Sequence, residues 1–76
     1  MRAEEIIALI YRKRQELVSR GRRPVKIVLS KENCDTLEDY RRRLPPFPPG
    51  VPDYITRYSL FELPIYVDDT TDCEVL

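Results

Sequence analysis

Residues 57–69 read RYSLFELPIYVDD, and the reading of this stretch decides the fold. Its apolar side chains alternate on either side of a tight corner at Phe61–Pro64, the pattern of two antiparallel strands joined by a short turn. Working outward, Tyr54–Leu60 reads as one strand and Ile65–Asp68 as the next. Upstream, Val25–Leu29 is a short run rich in β-branched residues, which favours a third strand, with Lys26 on the face opposite Val25 and Ile27. The run ends at Ser30, whose hydroxyl can accept from the amides of a following turn and so start a helix.

That helix is expected over about Lys31–Arg43, with Cys34, Leu37, Tyr40 and Leu44 as one apolar stripe. Acidic residues lie early in it and Arg41, Arg42 and Arg43 late, which suits the helix dipole. An earlier helix is expected over Ala3–Arg20. Ile6, Ile7, Ile10, Tyr11, Leu17 and Val18 recur there at three- and four-residue steps. Gly21 can take the positive φ of a helix C-terminus, and Pro24 stops any continuation. Between the second helix and the hairpin, residues 44–53 hold five prolines and Gly50. They read as a semi-rigid extended connection, with Phe47 free to tuck onto the domain or into a partner. Residues 70–76 read as a tail in which Cys73–Leu76 can add a short edge strand. The expected architecture is α+β, in the order α-β-α-β-β. It has a small three-stranded sheet, a C-terminal antiparallel hairpin and two helices packed on one face.

The 76 residues make a single small domain, 1–76, with a thin core of its own. Below about 70–80 residues, a disulfide, a metal or self-association commonly supplies part of the stability. A hydrophobic share of 42% with 34% charged residues excludes a disordered chain. The longest apolar run, Ile6–Tyr11, falls well short of the ~20 residues a bilayer span needs, and the N-terminus carries no signal-peptide pattern. Two cysteines, Cys34 and Cys73, match no zinc spacing, and the chain has no histidine. Two free thiols are the reading for a reducing compartment, with a disulfide between the second helix and the tail as the alternative. The net charge of zero hides a polarity: residues 1–43 carry twelve Lys/Arg against seven Asp/Glu, and residues 44–76 carry Arg57 against six Asp/Glu.

The run from Leu60 to Asp69 resembles a segment common in tailed-phage structural proteins. In that segment a strand leads into a Leu-Phe-Gly-Ile/Leu-Pro-Val turn, and a second strand ends in acidic residues. In tailed-phage major capsid subunits the hairpin follows a strand ending in Ser or Pro and then a short helix. Val25–Ser30 and Lys31–Arg43 occupy those places here, so the likeness spans roughly residues 25–69. The chain departs from the pattern at Glu62, where the family has Gly. A chain of this length is too short for a capsid subunit. The resemblance therefore implies a small phage- or prophage-encoded protein that carries the module, in the host cytoplasm or on the virion.

The candidate chemistry is sparse. Asp68, Asp69, Asp72 and Glu74 offer oxygen ligands to a hard cation, but their spacing is not that of an EF-hand, and a solvated strand end is the favoured reading. Arg12-Lys13-Arg14, Arg20 with Arg22-Arg23, and Arg41-Arg42-Arg43 could converge into one phosphate-binding patch, or be a solvated surface. Tyr54, Tyr58 and Tyr66 lie on the hairpin, with Tyr58 and Tyr66 as candidate cross-strand neighbours. They could stack bases but more commonly pack a core or an interface. With no His, no Gly-rich phosphate loop and no nucleophile beside a base, an enzyme is not expected, nor any cofactor. The residues read as available for interaction are Phe47, Tyr54, Tyr58, Tyr66, Asp68, Asp69, Arg12, Arg14, Arg22, Arg23, Arg41, Arg42 and Arg43.

The expected function is a non-enzymatic protein–protein interaction or structural module of phage origin. A nucleic-acid-binding accessory protein and a small inhibitor of a host enzyme are the alternatives. Self-association is expected through an open sheet edge and unlike charges. Contact between unlike patches on successive copies gives rings or filaments, with a two-fold dimer as the competitor.

Overall fold

The computed structural model describes residues 1–46, 48–50, 54–56 and 58–76. Phe47 and Arg57, both named in the sequence reading, lie outside the described residues. The elements run α1 (Ala3–Ser19), β1 (Ile27–Leu29), α2 (Lys31–Arg43), β2 (Ser59–Leu60), β3 (Leu63–Val67) and β4 (Cys73–Val75). The strands form one mixed sheet in the order β2-β3-β1-β4.

Both helices start and stop where the sequence says they should. The Ser30 hydroxyl accepts from the Asn33 amide at 3.2 Å, closing the first turn of α2. At the end of α1, Gly21 takes φ +74°. Its amide donates to the Val18 carbonyl at 3.0 Å, and the Arg22 amide reaches back to Leu17 at 2.9 Å. This double bond pattern is the Schellman stop, and it turns the chain back towards β1.

The core lies between the helices and one face of the sheet. Ile6 and Ile10 of α1 meet Ile27 and Leu29 of β1, Leu37 of α2, Leu60 of β2, and Cys73 and Val75 of β4. Tyr11 and Val18, expected on the apolar stripe of α1, are instead about half exposed. Tyr11 still closes one end of the core by an edge-on contact with Phe61 at 5.9 Å between ring centroids.

The sheet has four strands where the core expectation had three, the fourth being the edge strand that Cys73–Leu76 can add. The hairpin of β2 and β3 is antiparallel as read, with Leu60 opposite Leu63 across a two-residue turn. But β1 lies parallel to β3, Ile27 opposite Ile65, with α2 in the connection between them. The C-terminal stretch pairs antiparallel with β1, Val28 opposite Glu74, and makes a fourth strand. β1 is thus the second strand in from one edge and is fully paired, although it is only three residues long. The strand expected over Tyr54–Leu60 contracts to Ser59–Leu60, with Ile55 making a single antiparallel bridge to Leu60.

Candidate interaction surface

Strand alternation and pairing assign a side for each sheet residue. Ile27, Leu29, Cys73 and Val75 are buried beneath the helices. Lys26, Val28, Pro64, Tyr66 and Glu74 therefore lie on the opposite face, which carries no helix or strand layer among the described residues. Tyr66 is 55% exposed there, and the Lys26 ammonium sits over its ring at 5.7 Å from the centroid. Val28 lies between Tyr66 and Glu74 in the central row of the face. Tyr58 is not the cross-strand neighbour of Tyr66: its carbonyl accepts from Ile65, and the lateral neighbour of Tyr66 is Val28.

The charges sort to the two ends of this face. Arg22 and Arg23 are exposed in the turn before β1, and with Lys26 they make one end basic. β3 runs parallel to β1 and β4 antiparallel, so Asp68 after β3 and Asp72 before β4 both arrive at the other end, beside Ser30. The bonds from the Asp68 amide to Leu29 and from the Ser30 amide to the Asp72 carbonyl fix that meeting.

Several of the charged residues singled out in the sequence serve the fold. Glu38 accepts from Arg41 through both carboxylate oxygens, at 3.0 and 2.7 Å, and from Arg42 at 3.2 Å. The hydrogen bonds from Arg41 hold the Glu38 carboxyl down at about 2, and the fork raises the Arg41 guanidinium further. Arg43 pairs with Asp39 at 3.0 Å and Arg12 with Glu16 at 4.0 Å. The Arg41–Arg43 run is therefore largely neutralised along its own helix, not gathered into a phosphate site. Arg14 is half-buried on α1. Asp69 accepts from the Lys31 amide at 2.8 Å, adding an acceptor at the start of α2. Asp68 accepts from the Thr70 amide and hydroxyl at 3.0 and 2.7 Å, which lowers its carboxyl and closes the loop before β4. Among the described residues no group of three His, Cys, Asp or Glu is arranged to hold a metal.

Tyr54 stacks on Phe61 at 6.0 Å, and burial with a hydrogen bond to Tyr40 pushes its phenol up. It belongs to the core rim, not to a base-stacking platform. Cys34 is half-buried and Cys73 buried, both unbridged. Burial pushes both thiols up, away from the thiolate a nucleophile needs. A shallow groove of about 220 Å³ runs between α2 and β3, lined by Cys34, Asp35, Glu38, Tyr58, Ile65 and Val67. Its two carboxylates are already engaged, Glu38 with Arg41 and Asp35 with the Lys31 ammonium at 3.0 Å.

Sequence reasoning missed Asn33 and read Lys13 only as part of the basic run Arg12-Lys13-Arg14. Lys13 reaches from α1 to the outer edge of β4, where its ammonium donates to the Cys73 carbonyl at 2.9 Å and lies 3.9 Å from Glu74. A lysine on an edge carbonyl blocks the approach of another strand. The other outer strand, β2, is only two residues long. The open edge expected to template self-association is thus short on one side and capped on the other, and the uncovered surface is the face. Asn33, buried in α2, donates to the Asp72 carbonyl at 2.8 Å and ties α2 to the start of β4. No sequence signal marks a lysine as an edge cap. Asn33 announces itself only as a polar side chain on the buried side of α2, one turn before Leu37.

No family model, no curated protein and no solved structure matches this chain.

Proposed function

We propose that this chain is a non-enzymatic interaction or structural accessory module, encoded by a tailed phage or prophage, which works by presenting the uncovered face of its sheet to a protein. One observation carries the reading: among the described residues, helices cover the four strands on one side only. The other side shows an exposed tyrosine, a valine and a proline between a basic and an acidic end. A surface of that mixture is typical of protein interfaces, where tyrosine is enriched over a polar rim. The phage origin rests on the resemblance of residues 60–69 to the tailed-phage hairpin. Glu62 sits at the position of the family's glycine and takes φ +67°, the conformation a glycine there accommodates at least strain. The chain would act in the host cytoplasm or on the virion, and an inhibitor of a host enzyme is the same reading with a different partner. Among the described residues no helix is long and apolar enough to cross a membrane.

The test is affinity capture from phage-infected or prophage-induced cells, with the wild-type chain and Tyr66→Lys compared by mass spectrometry. Proteins held by the wild type and released by Tyr66→Lys support the reading. A captured set unchanged by the substitution, with the variant folded, refutes the use of this face. Encoding beside capsid, portal or tail genes would support the phage assignment.

Arg20, Arg22 and Arg23 favour a second reading, since none has an ion pair among the described residues. Three arginines on phosphates would give a nucleic-acid affinity falling with salt at a log–log slope of about −2.7. No binding to duplex or single-stranded DNA or RNA at low salt would remove it.

A further inference from the structure

The charges at the two ends of the uncovered face have a definite relation to its centre. Along β1 on this face the rows are Lys26, Val28 and Ser30. Neighbouring rows lie about 6.6 Å apart, since a strand rises about 3.3 Å per residue. The basic row holds Lys26, with Arg22 and Arg23 beyond it; the acidic row holds Asp68 and Asp72 on either side of Ser30. The Val28 row, with Tyr66 to one side and Glu74 to the other, lies midway. The face is therefore antisymmetric in charge about its middle row of Tyr66, Val28 and Glu74.

We propose that the occupant of this face is a second copy of this chain, packed sheet on sheet about a two-fold axis that lies between the sheets, perpendicular to the strands, over the Val28 row. The proposal rests on the reading of this face as a protein interface and names the partner. Such an axis reverses the strands of one copy over the other. Lys26 of each copy then stands over Ser30 of its partner, flanked by the partner's Asp68 and Asp72, while Val28 and Tyr66 stack on their own copies. Both charged ends meet their opposites in one closed contact. An axis along the strands would set basic row on basic row and is rejected by the same charges. Glu74 meets its own copy at the rim, where Lys13, 3.9 Å away, offsets the repulsion. Unlike charges on one molecule lead to rings or filaments when they sit on separate surfaces. Here they border a single face, so a two-fold pairs them and the assembly closes at two.

The area fits a reversible dimer. The four strands hold three, two, five and three residues, which at about 3.3 Å of rise and about 4.8 Å of spacing give on the order of 200 Å² per copy and about 400 Å² in all. That total is well under the ~1,600 Å² of a standard stable interface. The dimer should form at about 1 mM protein at low salt, dissociate at a few µM, and weaken as salt screens the exposed charges.

Sedimentation of three chains tests this: the wild type, Lys26→Glu and Asp72→Lys. The Asp72 side chain has no partner among the described residues, its structural bonds being to its carbonyl, so Asp72→Lys leaves the fold intact. A two-fold contains every contact twice, so each substitution acts twice and should weaken self-association at least tenfold. Mixing the two variants restores three of the four unlike pairs, the carboxylate of Lys26→Glu against the other chain's Asp68 being the exception, and the expected result is a heterodimer more stable than either variant's homodimer and weaker than the wild-type dimer. Circular dichroism melts of each variant confirm that loss of association is not loss of fold. A wild type that is monomeric at ~1 mM and low salt overturns the proposal, and so does a dimer unaffected by either substitution or a pair of variants that do not associate. The wider interaction reading fails on a different result: foreign partners retained by Tyr66→Lys.

Discussion

Replacing Glu62 by glycine should stabilise this protein. The turn between β2 and β3 has two residues, Phe61 at φ +51° and Glu62 at φ +67°. Two positive φ values in a two-residue hairpin turn match the twist of the flanking strands, and sequences usually meet that demand with Asn-Gly or Asp-Gly. Glu62 meets it with a Cβ in place, at a cost of about 1–2 kcal/mol for a left-handed L-residue. Its side chain is exposed and makes no hydrogen bond or ion pair with the described residues, so truncation removes no contact. Against the relief stands the greater freedom of glycine in the unfolded chain, about 0.5–1 kcal/mol. The net gain for Glu62→Gly is about 0.5–1 kcal/mol, a rise in Tm of roughly 2–8 °C for a domain of this size. Thermal and urea melts followed by circular dichroism measure it, with Glu62→Ala as the control. Alanine keeps the Cβ and should gain nothing. If alanine stabilised as much as glycine, the charge and not the backbone would be the source of strain, and the reasoning would be refuted. A glycine variant no more stable than the wild type would refute it equally.

Ile10, fully buried on α1 against the sheet, should cost about 2–5 kcal/mol when cut to alanine; an unchanged melting temperature would mean that α1 is a detached arm and the domain begins near Val25. Glu38, held at about 2 by Arg41, has a folded value below its unfolded one of ~4.3, so its contribution is present above that unfolded value and fades as pH falls towards 2. Glu38→Gln should therefore flatten stability against pH across that window, and an acid profile matching the wild type would count against the fork. Both cysteines should stay unbridged and alkylate slowly in the folded chain, Cys73 more slowly than Cys34, because Cys73 is the more buried; a mass short by one hydrogen pair in protein purified without oxidant would contradict this.

The local signals in the sequence were sufficient for the helices. Ser30 and Gly21 mark their ends by chemistry that acts within a few residues, and α2 spans Lys31–Arg43 as expected from its charges and stripe. The antiparallel hairpin was legible for the same reason, since its two strands are adjacent in the chain. The α+β class with both helices on one face followed from these pieces. What could not be read was non-local. Nothing in Ile27–Leu29 announces that one neighbour will be parallel β3 and the other β4, because backbone pairing is blind to distant sequence until packing chooses. The site suffered from the same limit. Arg41–Arg43 looked like an available basic patch until the helix set Glu38 and Asp39 one turn away. The uncovered face is assembled from alternate residues of three separate segments, around Val28, Tyr66 and Glu74, and no window of sequence contains it.

The position of β1 in the sheet has a consequence for the order in which the molecule can be made. β1 leaves the ribosome well before both of its neighbours, which come from residues 63–75. Until those residues emerge, Ile27 and Leu29 have no strand to pair with, and the nascent segment can form little beyond two marginal helices. Loop closure must then draw distant segments together before any pairing rewards it, which slows the search and leaves an unpaired apolar strand waiting. A release of the chain before Cys73 would leave β1 bare along one side, without the Lys13 clasp or the Asn33 tie. Such a fragment should be held by chaperones or lost to proteases, because β1 then lacks the partner strand that Cys73–Val75 supplies.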